Sequence, residues 1–150
     1  MRIYFEIIND PYLDPKSVYN ITHYVTHDKN GRLLNFCGSP NTLITDPAGQ
    51  MMYVKKYFGK EAGRQIRHFI VSFDRRLPYS EFELGVIGMK VCEYYSDRYQ
   101  IIFGVHNNTD NLHIHFAMNT VSFIDGKMYS ESHGDAIRLR KYIETAVYSF

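Results

Sequence analysis

Apolar and polar positions alternate or recur along this chain in patterns that divide it into short strands and medium helices. Ile3, Phe5 and Ile7 alternate with Arg2, Tyr4 and Glu6, which predicts a strand over Arg2–Ile8. Asp14-Pro15 offers a cap followed by a proline suited to a first helical turn. The helix it opens runs to about His27 and turns Val18, Ile21, Thr22 and Val25 to one side. Lys29-Asn30-Gly31-Arg32 then stops the helix and turns the chain. A weaker pattern predicts a helix from Asp46-Pro47 carrying Met51, Met52, Val54, Tyr57 and Phe58, with a glycine-punctuated loop after it.

The second half is plainer. Ile66–Phe73 is a strand, and Ser80 with Glu83 forms a capping-box pattern that opens a helix to about Asp97. Tyr99–Val105 and Leu112–Val121 are strands, Ile124-Asp125-Gly126-Lys127 is a tight turn, and a last helix runs from about Gly134 toward Phe150. The mixed order, with a hairpin-like step between two central strands, predicts an α+β fold: a central antiparallel sheet with helices packed mainly on one face. One domain over residues 1–150 is expected, with no internal repeat or linker.

Composition narrows the class. Hydrophobic residues make up 45% of the 150, enough for a packed core, and the net charge of +1 neither demands nor excludes a nucleic-acid partner. Cys37 and Cys92 have no CxxC spacing and read as free thiols of a reducing compartment. The N-terminal run is too short and polar for a signal peptide, and no apolar stretch approaches the roughly 20 residues needed to span a bilayer. A soluble cytoplasmic protein without a membrane partner is expected.

The chemistry concentrates in one hairpin. In Leu112–Met118 the even positions Leu112, Ile114, Phe116 and Met118 are apolar, so His113, His115, Ala117 and Asn119 take the other face. In the preceding strand Gln100, Ile102, Gly104 and His106 form one set, and Asn107–Asn111 between the strands is rich in turn formers. If that segment closes an antiparallel hairpin, His106 falls across from His113. The three imidazoles of His106, His113 and His115 then share a patch less than about 8 Å wide, beside a face left bare by Gly104. Three neutral imidazoles with an open position suit a catalytic divalent metal. A lone His-x-His on a strand is more often a solvated pair, and the third histidine is what lifts this one above that reading. His23, His27, His68 and His133 lack such geometry, and His68, sharing a face with Ile70 and Ser72, reads as a satisfied, partly buried histidine.

The segment His106-x-x-Thr109-Asp110-Asn111-Leu112-His113-Ile114-His115-Phe116-Ala117-Met118-Asn119 closely resembles the metal-binding motif of MobP-type conjugative relaxases, members of the HUH single-strand endonucleases. Ile21-Thr22-His23-Tyr24-Val25-Thr26, with Lys29-Asn30-Gly31-Arg32 after it, is similar to the family's nucleophile segment. His68-Phe69-Ile70-Val71-Ser72-Phe73 is similar to its internal strand. The resemblance implies a metal-dependent, site- and strand-specific transesterase that nicks the transfer origin of a mobile element and forms a 5′-phosphotyrosine. It implies Tyr24 as nucleophile, His106, His113 and His115 as ligands of manganese or magnesium, Asn108 and Asn119 behind them, and Lys29, Arg32 and Ser72 as DNA contacts. Ligand softness alone would also suit zinc or nickel. The implied partners are single-stranded DNA at the origin, accessory DNA-binding proteins and a coupling protein.

The chain departs from the family where an Asp usually stands two residues after the first histidine, since Asn108 occupies that position. Family members also usually continue into a long C-terminal region, so this chain reads as a catalytic domain or a very small relative. The rival readings are a replication initiator or transposase acting through Tyr142 on the last helix, a silent DNA-binding module, and a three-histidine metal hydrolase. A basic run, Lys55, Lys56, Lys60, Arg64 and Arg67, reads as a solvated face with the option of DNA contact.

Overall fold

A computed structural model describes residues 3–150. In chain order it holds β1 (Ile3–Ile7), α1 (Lys16–Thr26), β2 (Cys37–Gly38), α2 (Pro47–Phe58), β3 (Ile66–Phe73), α3 (Glu81–Cys92), β4 (Ile101–His106), β5 (His113–Asn119) and α4 (Asp135–Tyr148). Local signals account for the helix ends. Asp46 caps α2 by accepting the Gly49 amide, with Pro47 opening the first turn and Gly59 closing the last at φ 67°. Ser80 and Glu83 cap each other's backbone at the start of α3. Before α1, the Asp14 carboxylate accepts the Lys16 amide. The expected elements are all present; the expected strand at Arg2 begins outside the described residues, and only the two-residue β2 went unread.

The strands form one sheet in the order β1-β3-β5-β4-β2, and each neighbouring pair is antiparallel. Register fixes the faces. Phe69, Val71 and Phe73 of β3, Ile101, Phe103 and Val105 of β4, and Ile114, Phe116 and Met118 of β5 pack with α3 and α4 in the larger core. The opposite face carries Ile66, Ile102 and Ala117, and these are covered by Val18 and Val25 of α1 and Ala48 and Met51 of α2. The α+β, antiparallel expectation therefore holds, but the helices divide two and two between the faces. The reason lies in the central strands: Ile66, Ile102 and Ala117 would stand in water on a one-sided sheet, and a second helical layer removes that apolar area from solvent.

That second layer sits unusually close at one point. A Cβ at Gly104 would lie 1.9 Å from the Val25 carbonyl oxygen, so the last turn of α1 rests on the bare backbone of β4. The face that Gly104 was expected to leave open is thus filled by a helix end. The basic run is also partly internal. Lys55 is buried and donates to the Gln65 carbonyl at 2.7 Å. Arg67 is buried with its guanidinium over the Tyr129 ring at 4.8 Å and its Nε 2.8 Å from Glu131. Neither is a solvated cation, because a charged end on an inward-facing position needs local acceptors instead of water.

Two predictions follow from this packing. Gly104→Ala should destabilise the protein by about 2 kcal/mol through overpacking, and urea unfolding measures it; a variant as stable as the wild type would show that α1 can lift off at no cost. Lys55 is the second case. Burial pushes its ammonium from an ordinary 10.5 to about 8. Below that pH the amine is charged in both states and the folded one bears the desolvation; between the two values only the unfolded state holds the proton. Stability should therefore rise with pH across that window relative to Lys55→Met, by about 1–3 kcal/mol. Paired urea titrations from pH 7 to 10 check this, and a flat difference would refute it.

A histidine and tyrosine cluster as candidate active site

The hairpin closes as its turn residues predict. His106 ends β4, His113 begins β5, and the two are directly paired, with Gly104 opposite His115. Ring centroids of His106 and His115 are 4.3 Å apart, those of His113 and His115 5.4 Å, and those of His106 and His113 6.2 Å. Tyr24 stands over this group from α1. Its ring lies 5.2 Å from that of His115 and 5.7 Å from that of His106, yet the residue is 52% exposed. It reaches the cluster because Val18, Thr22 and Val25 take the buried stripe of α1 and leave position 24 at its flank.

A fourth imidazole belongs to the group. His68 of β3 is buried, and its Nε2 lies 3.0 Å from Nδ1 of His115. Strand periodicity alone leaves His68 apart from the cluster. The sequence pattern predicts a satisfied, partly buried His68 and the ring is more deeply buried than that; its neighbour is not predictable, because the β3–β5 register joins strands that are far apart in the chain. The parity shared by His68 and Ser72 was the available signal, and it lacked a partner strand.

The environment keeps these rings neutral. Burial, reinforced by the neighbouring His106, pushes His68 down to about 4. Burial, then His106, His68 and His113 in turn, push His115 down to about 2. Burial also lowers His106 and His113. Neutral imidazoles offer one lone pair each, which is what a metal requires. His106 Nε2 is 2.9 Å from the Val25 carbonyl and must donate to it, which leaves Nδ1 as the acceptor of that ring. Among the described residues no group of three or more His, Cys, Asp or Glu side chains is arranged to hold a metal ion. By donor chemistry the three neutral rings share one face, and two of them, His106 and His115, are each oriented through one nitrogen by a hydrogen bond.

The remaining candidates separate. Ser72 pairs with His113 across β3 and β5 and shares the histidine face. Lys29 and Asn108 line a cavity of about 560 Å³ together with His23, Tyr24, His27 and His106. Asn108 is exposed, so it fronts the cavity instead of backing the histidines. Arg32 is exposed on the loop beyond α1, its amide held by Asp28. Asn119 is not behind the histidines at all. It lies at the far end of β5, donating to the Met51 carbonyl and to Gln100, and so ties α2 to the sheet. Tyr142 is on α4, whose buried residues belong to the core on the opposite face, and its hydroxyl donates to the Lys90 carbonyl. The sheet separates it from the histidines, which removes the geometric basis for an initiator acting through Tyr142. Cys37 and Cys92 are free thiols, as expected.

An antiparallel sheet with a histidine hairpin under a helix-borne tyrosine defines a class that comparison with known families makes specific. The family model described as "Relaxase: MobA/VirD2-like, nuclease domain" matches residues 19–147, and the chain belongs to that family. It is thus a relaxase-type nuclease domain, a DNA-nicking enzyme that binds single-stranded DNA at an origin. No curated protein and no solved structure matches the chain. Among the described residues no helix is long and apolar enough to cross a membrane.

The bond between His106 and Val25 yields a prediction that needs no metal. His106→Ala leaves a buried carbonyl without its donor and should cost about 1–3 kcal/mol. His113, half-buried and free of such a bond, should cost less when changed to Ala. Urea unfolding of both variants in chelator checks the order, and equal losses would show that the carbonyl finds another donor.

Proposed function

We propose that this domain cuts one DNA strand by transesterification through Tyr24. The supporting observation is the stance of the Tyr24 ring, exposed to incoming DNA yet 5.2 Å from the His115 ring and 5.7 Å from the His106 ring. The Tyr24 oxygen attacks the phosphorus at the nick site. A bond from that oxygen to phosphorus forms, the bond to the 3′ oxygen breaks, and the products are a 5′-phosphotyrosine and a free 3′-hydroxyl. The tyrosine proton leaves and a proton is taken up by the departing oxygen, so the exchange balances. Because the ester retains the phosphodiester's bond energy, the same site can reseal the strand.

A divalent ion held by His106, His113 and His115, manganese or magnesium by family habit, would polarise the scissile phosphate and offset the charge that develops there. The protein's own residues do the positioning. The Val25 carbonyl fixes the His106 ring, the sheet register brings His113 opposite it, and α1 carries Tyr24 over both. Lys29, Arg32 and Ser72 are suited to phosphate contact around this point, Lys29 from the cavity wall and Ser72 from beside His113. Exposed tyrosines provide stacking surfaces of the kind single-strand binding uses. The setting is the transfer origin of a mobile element, with accessory DNA-binding proteins and a coupling protein as further partners and the cytoplasm as location.

The test is covalent capture. The protein is mixed with labelled single strands spanning the transfer origin of its own element, with Mn²⁺, and run on a denaturing gel. We expect a protein–DNA adduct that disappears in Tyr24→Phe and in chelator but persists in Tyr142→Phe. An adduct that survives Tyr24→Phe would remove Tyr24 as nucleophile. Tight metal binding with no adduct on any origin strand would favour the silent module or the hydrolase.

A further inference from the structure

The nicking chemistry above leaves His68 without a task, yet it is the partner of His115. Its other nitrogen, Nδ1, lies 3.3 Å from the Tyr12 hydroxyl. Tyr12, His68 and His115 therefore form one hydrogen-bonded line. A neutral imidazole has one donor and one acceptor, so the line can run in two directions only. In one, Tyr12 O–H donates to His68 Nδ1 and His68 Nε2–H donates to His115 Nδ1. His115 then carries its own proton on Nε2 and has no lone pair left. In the other, His115 Nδ1–H donates to His68 Nε2, and His68 Nδ1–H donates to the Tyr12 oxygen. His115 Nε2 is then a free acceptor, as a metal ligand must be, and the Tyr12 hydroxyl keeps its own proton to donate elsewhere.

The backbone marks Tyr12 as deliberately held. It is the only non-glycine residue with positive φ among those described, at 45°, a conformation uncommon for a bulky side chain. Two hydrogen bonds hold it there: its amide donates to the Asp10 carboxylate at 2.8 Å, and its carbonyl accepts from the Gln65 amide at 2.9 Å. The ring centroid is 6.4 Å from that of His68. Burial, with the Asp10 carboxylate and Tyr24 nearby, raises the phenol above its ordinary value against the opposing pull of Arg64, so it remains a neutral hydroxyl.

We propose that Tyr12 and His68 are positioning residues that hold His115 in its Nδ1–H form, with the Tyr12 oxygen as the terminal acceptor of the relay. The proposal rests on the reading of His115 as a metal ligand. Without the Tyr12 hydroxyl, His68 Nδ1–H would be a buried donor with no partner, a rarer and more costly state than an unpaired acceptor. The line would then reverse and put a proton on the nitrogen that the metal needs.

Two measurements test this. Nitrogen-detected NMR of the metal-free protein reads the tautomers, and calorimetry with Mn²⁺ reads affinity without any DNA. In the wild type, His115 and His68 should both be Nδ1–H. Tyr12→Phe and His68→Leu, each first shown to unfold cooperatively above the assay temperature, should move His115 toward Nε2–H and weaken Mn²⁺ binding about 10- to 100-fold. His68→Gln should restore most of the affinity, because its amide oxygen can accept from His115 Nδ1–H. An Nε2–H form of His115 in the wild type, or unchanged tautomers in Tyr12→Phe, would overturn the relay. Failure of the wild type to bind Mn²⁺ would instead overturn the reading of His115 as a ligand, and the tautomer measurement would decide the relay alone.

Discussion

One backbone oxygen, the carbonyl of Val25, joins the parts of this molecule that matter to its chemistry. It belongs to the last turn of α1, where carbonyls have no partner within the helix. It rests against the bare backbone of Gly104 and accepts the ring N–H of His106. Its neighbours are also engaged: the Thr26 carbonyl accepts the Leu34 amide at 2.8 Å and the His23 carbonyl accepts the His27 amide at 3.0 Å. The end of α1 is therefore fixed on one side by the sheet and on the other by the loop that follows. Tyr24 sits one residue before this anchor. Its height above the histidines is consequently a property of the helix–sheet contact, and its own exposed side chain contributes little to holding it.

The same face of the sheet carries two kinds of polar residue, divided along the strands. At the hairpin end stand His106, His113, His115 and His68, with lone pairs to offer. At the other end, Asn119 donates to Met51 and Gln100, while Lys55 donates to the Gln65 carbonyl and to Thr120. Between them lie the apolar contacts of Ile66, Ile102 and Ala117 with α1 and α2. The far end is satisfied within the protein and acts as a clasp for α2. The hairpin end opens onto a cavity. The burial that keeps the imidazoles neutral there is supplied by the same helix that presents the tyrosine.

Much of the fold is legible in local pattern, and the features that are not share a physical cause. Alternation over Leu112–Met118 and the turn formers at Asn107–Asn111 sufficed to pair His106 with His113, because a hairpin's register is set by residues close in the chain. His68 escaped because its relation to His115 depends on β3 meeting β5, strands separated by α3 and β4. The pattern marks Gly104 as bare but not as a seat for Val25, since Val25 lies 79 residues earlier in the chain and periodicity says nothing of which layer covers a face. Lys55 and Arg67 looked solvated for the same reason: charge alone implies water, and only tertiary acceptors overturn it. Asn119 shares a face with His113 and His115, but about 20 Å of strand rise separates it from His113, and parity alone does not register distance along a strand.

The departure at Asn108 takes on a different weight in this light. In the family an aspartate at that position can orient a histidine and raise its basicity. Here the side chain is exposed in the turn, and the work of orientation falls to other groups: the Val25 carbonyl for His106 and the His68 imidazole for His115. Both acceptors are neutral. They can orient a ring, but they accept more weakly than a carboxylate does and add no charge to strengthen its lone pair. The chain has thus replaced an electrostatic support with a geometric one. A cluster supported in this way depends on the packing of α1 and β3 more than on any single charged residue, which makes Gly104 and the β3–β5 register as much a part of the candidate site as the histidines they align.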